Sequence, residues 1–324
     1  MKQCNVFILG ISEYEEHKLI ALSLMNSLKQ IKTTHEEYKP YILLCDNSLE
    51  AIQKVIAEYT EKLGCDVLIS TGYRMTSLLP VVYEALGPIP TIFSGIQDPL
   101  RLGILKSLEK PGGMFSGVCM AQPNPQHHAE QLRILHPYVK KICLPYDPTS
   151  LGGVVKKQTT LLVQALQAVG FCVDLCEVYT VQDALTVVAT HMDDCHAVLL
   201  VEGCIVAVQV EPDIAYMCSM GAKILLSSNG RVGISHGAPF AYGCTNNILL
   251  SEVVEMVRRF WRDRKRVGMQ PVITLPDSRT LFVNRFRLPW LPWQIMQKIK
   301  NHTKFNVLFQ WTQCPINRER DDDG

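Results

Sequence analysis

Residues 5–72 read NVFILGISEYEEHKLIALSLMNSLKQIKTTHEEYKPYILLCDNSLEAIQKVIAEYTEKLGCDVLISTG, and their patterning decides the fold class. Three runs, at 6–11, 41–45 and 67–70, are apolar at successive positions rather than at alternate ones. A strand of that kind is covered on both faces, as in a parallel sheet between layers of helices. Between the first two runs, 16–31 carries Leu19, Ile20, Leu22, Leu24 and Leu28, which fits one helical stripe. Between the second and third, Ser48 stands where an N-cap belongs and Gly64 just past the end of a helix over 49–63. The segment therefore predicts β–α–β–α–β.

The same alternation continues outward. Further apolar runs lie at 91–93, 141–146, 171–177, 197–201 and 223–226, and Pro148-Thr149-Ser150 opens a helix that runs to Gly170. The pattern falls into two sets, 5 to about 118 and about 119 to 243, with Pro123-Asn124-Pro125 just past the junction. A long helix at 246–266, an extended segment holding Pro271 and Pro276, a strand at 280–284 and a helix at 292–300 follow. The expected fold is α/β, two doubly wound parallel-sheet lobes with a central cleft. Residues 1–118 plus about 244–275 make lobe 1, 119–243 plus about 276–317 make lobe 2, and 318–324 is a frayed tail.

The composition agrees with a large buried core. Of 324 residues, 47% are hydrophobic and 19% charged, and at about 150 residues per domain the length suits two domains. A net charge of +1 argues against nucleic acid as a partner. No apolar run approaches the roughly 18 residues of a membrane span. Lys2 and the apolar stretch 5–11 are followed by Glu13, Glu15 and Glu16 without a small-residue cleavage site. That stretch reads as a first strand, so either an export signal was trimmed or the protein stays in the cytoplasm.

The 12 cysteines are scattered singly. Cys45, Cys65, Cys143, Cys172 and Cys195 lie in or beside apolar runs, where Cys acts as a small hydrophobe. Cys172 and Cys176 would stand about 13 Å apart along one strand, too far for a disulfide. There is no CxxC pair, and no His stands at zinc spacing from a Cys, so neither metal nor cofactor is expected. Gly112-Gly113 and Gly152-Gly153 lack the Lys-Ser/Thr of a phosphate loop.

In open parallel sheets, ligands sit beyond the carboxyl ends of the strands. The residues there are Ser12, Glu13, Tyr14, Ser70, Thr71, Gly72, Ser94, Gln97 and Asp98 in the first half. In the second half they are Tyr146, Asp147, Glu202, Gly203, Cys204, Ser227, Ser228 and Asn229. Hydroxyls, amides and carboxylates at helix N-termini suit a small polar ligand with a carboxylate. They also suit plain helix capping.

With those residues in place, the chain resembles the ABC-transporter substrate-binding proteins that include tryptophan- and tyrosine-binding members, of type I periplasmic-binding fold. The stretches that carry the resemblance are CDVLISTG, IPTIFSGIQDPL, GVCMAQPNPQHHAEQLRILHPYVKKICLPYDPTS, HGAPFAYGCTNN and LFVNRFRLPWLPWQIMQK, in the family's order. The resemblance implies a monomeric receptor in the periplasm or cell envelope that closes over an amino acid or related carboxylate and delivers it to an ABC permease. It places Thr71, Gly72, Gln97, Asp98, Tyr146 and Asp147 in cleft loops. On this reading Thr71 and the amides near Gly72 take a carboxylate, Asp98 or Glu202 balances an ammonium, and Tyr146 covers an apolar portion. The chain departs from the family pattern at Glu202-Gly203 and at Ser227-Ser228-Asn229.

Two other readings compete. GCTNN at 243–247 resembles the cysteine motif of two-cysteine amino-acid racemases, which would need Cys204 or Cys119 as the second thiol beside Cys244. A ligand sensor is the other, though no helix-turn-helix precedes Asn5. The basic cluster at 258–266 complements a helix C-terminus. Trp290, Trp293 and Trp311 suit core or lobe packing.

Overall fold

The computed structural model describes residues 2–31, 36–121, 124–228, 230–244, 246–263, 266–276, 279–284 and 307–310. Asn229, the helix expected at 292–300, Trp290, Trp293, Trp311 and the tail 318–324 lie outside the described residues. The chain forms two compact units. One holds Met1–Gln122 with Thr245–Ser278, the other Pro123–Cys244 with Arg279–Gly324. The backbone thus passes between units three times, after Gln122, Cys244 and Ser278.

The first unit begins β1 (Lys2–Ile11), α1 (Glu15–Gln30), β2 (Glu36–Cys45), α2 (Leu49–Leu63) and β3 (Val67–Thr71). It continues with α3 (Gly72–Leu86), β4 (Thr91–Ile96) and β5 (Phe115–Met120). In the second unit come α4 (Pro125–Leu135), β6 (Lys141–Tyr146), α5 (Val154–Ala168), β7 (Cys172–Glu177) and α6 (Val181–His191). It goes on through β8 (Ala197–Leu200), α7 (Ile205–Met220), β9 (Ile224–Ser227), α8 (Gly230–Ser235) and β10 (Phe240–Cys244). The chain then returns to the first unit with α9 (Asn246–Asp263) and β11 (Ile273–Leu275). It ends in the second with β12 (Arg279–Asn284) and β13 (Val307–Gln310).

The first sheet runs β11-β5-β4-β3-β1-β2, and every neighbouring pair is parallel. The second runs β13-β12-β10-β9-β8-β6-β7 and is parallel except where β12 reverses against β10. All residues of β3, β5 and β8 are buried, which is why their sequences do not alternate. The core of the first unit gathers Phe7, Leu9, Leu68 and Phe93 with Ile52 and Ile56 of α2. That of the second gathers Ile142, Leu144, Val198 and Leu199 with Leu162 and Leu166 of α5. Helix α9 lies against β4, β5 and α1, burying Leu249, Val253, Val257 and Trp261.

Three local expectations need correction. The helix expected from Pro148 onward opens as a 3-10 turn over Ser150–Gly153, and α5 proper starts at Val154. Gly153, left-handed at φ 83°, separates the two. Cys172 is exposed rather than a core hydrophobe, because β7 is the outer strand of its sheet and Cys172 begins it. Strands β5, β10 and β11 were not among the apolar runs, since Gly117 and Gly243 interrupt two of them and β11 is only three residues long.

Helix α6 carries a capping box. The Asp183 N–H donates to Thr180 Oγ1 at 3.1 Å, and the Thr180 N–H donates to Asp183 Oδ2 at 3.0 Å. Removing the hydroxyl orphans a first-turn amide. Thr180→Ala is expected to cost about 1 kcal/mol, read from the midpoint of urea unfolding; an unchanged midpoint would mean the box contributes nothing.

Candidate functional site

At the carboxyl edge of the first sheet, the structure separates hydroxyls that brace the fold from groups left open. Ser70 and Thr71 are fully buried. Ser70 Oγ shares a hydrogen bond with Thr76 Oγ1 at 2.8 Å, and Thr71 Oγ1 donates to the Leu9 carbonyl at 2.9 Å. The Thr71 hydroxyl therefore ties β3 to β1, and its proton is not directed at a carboxylate. Asp98 accepts the Arg101 N–H at 3.3 Å, capping the 3-10 turn Pro99–Leu102. Ser12 Oγ meets Asp46 Oδ1 at 3.2 Å, and Gln97 is half-buried.

Two other groups face no such partner. Ser94, paired in register with Thr71, buries its Oγ without a hydrogen bond among the described residues, and so does the Tyr14 hydroxyl. Burial, and then the Glu13 charge, raise the Tyr14 phenol above its ordinary value.

His17 is the residue that sequence reasoning missed here. It is buried, and its Nδ1 accepts the Ile11 N–H at 3.1 Å, which puts the imidazole proton on Nε2. Tyr14 meets its ring edge-on, with centroids 5.1 Å apart. Burial lowers its pKa to about 4, so the ring is neutral at pH 7. Nε2 lies beside Gly72, whose φ is +76° and where a Cβ would come within 2.7 Å of it. Only glycine starts α3 at this spot without moving the imidazole. A His in the first turn of a helix after a strand was the available signal, hidden by the more usual choice of hydroxyls.

In the second unit, Tyr146 is a core residue. Its ring is buried and its hydroxyl donates to Glu177 Oε1 at 2.9 Å, while Tyr179 donates to Oε2 at 2.8 Å. Burial, followed by the Glu177 carboxylate, pushes Tyr146 up to about 12. Asp147 is a turn brace. Its carboxylate accepts the Thr149 N–H at 2.8 Å, Thr149 Oγ1 at 2.6 Å and Ser150 Oγ at 2.7 Å. The expected covering role of Tyr146 and ligand role of Asp147 thus meet side chains already engaged inside the unit. Glu202 and Gly203 form the half-buried turn before α7. Ser227 and Ser228 are buried, and Ser228 Oγ has no hydrogen-bond partner among the described residues.

Helix capping divides along the same line. Side chains cap α2 (Ser48), α4 (Asn124) and α6 (Thr180), each accepting a first-turn N–H at 3.1–3.2 Å. Helices α1, α3, α5 and α7 have no side-chain cap. Those four follow β1, β3, β6 and β8, all interior strands; of the capped helices, α2 and α6 follow the edge strands β2 and β7, while α4 is capped although it follows the interior strand β5 into the second unit. The uncapped amides and the positive ends of the helix dipoles collect at the middle of each sheet's carboxyl edge, where an anion is stabilised.

Neither candidate second thiol of the racemase reading is set up for proton abstraction, and the Cys244 side chain lies outside what is described. Cys204 is wholly buried and accepts the Asp147 N–H at 3.2 Å, and burial raises the Cys119 thiol. Among the described residues no helix is long and apolar enough to cross a membrane.

Comparison with known proteins adds three findings. The family model for ABC transporter substrate binding proteins matches residues 28–295. A tyrosine-binding protein of Clostridioides difficile (strain R20291) is 26% identical over 160 residues, which is 48% of this chain and 44% of that protein. The match thus spans less than half of that relative's length. Among solved structures, the ABC domain from Streptococcus pneumonia in complex with L-Trp has TM-score 0.73 and 16% identity, over 92% of this chain and 98% of that one. A substrate binding protein with adhesive properties from Clostridium difficile, in its ligand-free, open form, has TM-score 0.64 and 16% identity, over 96% and 100%. The structural likenesses show a shared fold.

Proposed function

The chain belongs to the ABC transporter substrate-binding protein family, and from that premise we propose that it captures an amino acid or related small carboxylate for an ABC permease. On this proposal the ligand is held at the carboxyl ends of the strands, and the protein works as a monomer at the cell envelope. The observation that carries the reading is the set of uncapped helices after interior strands. The ligand carboxylate takes the first-turn amides of α3 beside Ser94, in the role first given to the Thr71 hydroxyl. Within the second unit, Glu202 is the candidate partner of an ammonium group and Ser228 Oγ a candidate ligand hydroxyl. An aromatic L-amino acid is the first candidate, because the curated relative is named for binding tyrosine.

The test is a panel of L-amino acids and small carboxylates, screened by thermal shift and then by calorimetry. At least one amino acid is expected to bind. Ser94→Ala and Ser228→Ala should each weaken it roughly ten- to a hundredfold, the cost of losing a hydrogen bond to a charged group. If no member of the panel binds, or if both variants bind as the parent does, the proposal fails.

A further inference from the structure

Away from the strand ends, the second unit brings together three groups that no sequence spacing connects. Cys143 of β6, Cys176 of β7 and His191 at the end of α6 place Sγ, Sγ and Nε2 all within 4.8 Å of one another. We propose that they form a thiolate–imidazole site for a soft metal ion, Zn2+ in the first instance, with the Asp174 carboxylate or a water as fourth ligand.

The ring of His191 is oriented for it. Nδ1 lies 2.9 Å from the Val187 carbonyl and so donates its proton there, leaving the Nε2 lone pair toward the cysteines. That backbone tether is the arrangement found behind metal-bound histidines. Nε2 stands 3.9 Å from Cys176 Sγ and 3.9 Å from Asp174 Oδ2, and Lys141 Nζ holds that carboxylate at 2.9 Å. With Zn–S near 2.3 Å and Zn–N near 2.0 Å, a tetrahedral ion sets its ligand atoms about 3.5–3.8 Å apart, so the three atoms need to close by no more than about 1.3 Å.

A disulfide does not fit. Cys143 pairs in register with Asp174 and Cys176 with Pro145, so the two cysteines are offset by two residues on neighbouring strands. That offset puts their Cα atoms about 8 Å apart, beyond the reach of an S–S bond but not of two thiolates on one ion. Two thiolates and an imidazole select zinc or monovalent copper over magnesium or calcium. On binding, the incoming cation displaces the thiol protons to solvent.

The experiment titrates reduced, chelator-stripped full-length protein with Zn2+ against a chromophoric chelator. Co2+ is the spectroscopic probe, because cobalt–thiolate charge-transfer absorption reports sulfur ligation. One ion per chain and a thiolate–cobalt band are expected. Cys176→Ser should lose the band and weaken Zn2+ at least a hundredfold, and His191→Gln should weaken it ten- to a hundredfold. Cys172→Ser, which removes the exposed thiol of the same strand, should bind as the parent does. Cys143 is fully buried, so the partly exposed Cys176 and His191 carry the test should Cys143→Ser fail to fold. The site is refuted if Co2+ gives no thiolate band with parent protein, or if folded Cys176→Ser and His191→Gln bind Zn2+ unchanged. A Cys143–Cys176 cross-link in non-reduced protein, found by peptide mass mapping, would refute it as well.

Discussion

Acidifying the protein from pH 7 to pH 4 is expected to remove about 6 kcal/mol of stability, a large share of the roughly 5–15 kcal/mol that a marginally stable fold has. Two buried histidines cause it, one in each unit. His136 is fully buried, with Phe240 edge-on at 5.0 Å and neither ring nitrogen hydrogen-bonded among the described residues. Burial lowers its pKa to about 4, as it does for His17. In the unfolded chain each imidazole takes its proton near pH 6.5, and in the fold only near 4. Between those values the unfolded state binds more protons, so stability falls as pH falls. Above about 6.5 both states are neutral and neither histidine contributes. A shift of roughly 2.5 pH units corresponds to about 3 kcal/mol at pH 4 for each residue. Urea midpoints at pH 7, 5.5 and 4.5 measure the slope. His136→Leu should remove about half of it, and a variant with the parental slope would rule out the assignment.

A second large effect is expected at Gly117, in the middle of β5. Its register partner is Phe93, whose ring lies across it. A Cβ at Gly117 would meet the Phe93 carbonyl oxygen at 2.3 Å and the ring at 2.5 Å. The carbonyl belongs to the β4 backbone and the ring is fully buried, so neither can step aside cheaply. Gly117→Ala should cost about 3 kcal/mol, at the upper end for overpacking, and Gly117→Val should not accumulate as folded protein. Folding of Gly117→Val with a midpoint near the parent's would show that β4 and β5 are not packed as described.

These two sites also mark how far the sequence could be read. The interior strands were legible because burial on both faces leaves runs such as 67–70 apolar at every position. The cap of α2 was legible because Ser48 and its amide partner at Ala51 are three residues apart. Strand β5 was not, because the glycine that breaks its pattern answers to an aromatic ring on a neighbouring strand. The same limit applied to function. Thr71 looked like an open hydroxyl, but its partner is the Leu9 carbonyl, 62 residues away, and register alone brings the two together. Cys143, Cys176 and His191 escaped a search for metal spacing because their proximity arises across parallel strands and the helix beyond them. His17 stood in plain view in the first turn of a helix after a strand, but only the fold shows that its imidazole is buried against the Ile11 amide.

The three passages of the backbone between units have a consequence for biosynthesis. Strand β11 pairs with β5 across 155 residues, Ile273 opposite Val118, and Ser116 Oγ reaches the Gln270 carbonyl at 2.8 Å. A nascent chain extending only to Cys244 therefore carries β5 with an unpaired edge and without α9, its cover on β4 and β5. Its β10 likewise lacks β12. Both sheets wait on segments translated after residue 245, so each unit emerges from the ribosome with a strand edge open that the finished fold covers. At a synthesis rate of about 5–20 residues per second, the first unit holds that edge open for several seconds or more. Unpaired edges of this kind are templates for aggregation. Stalling translation between residues 122 and 245 would prolong the exposure, and a chaperone that shields strand edges would act in that interval.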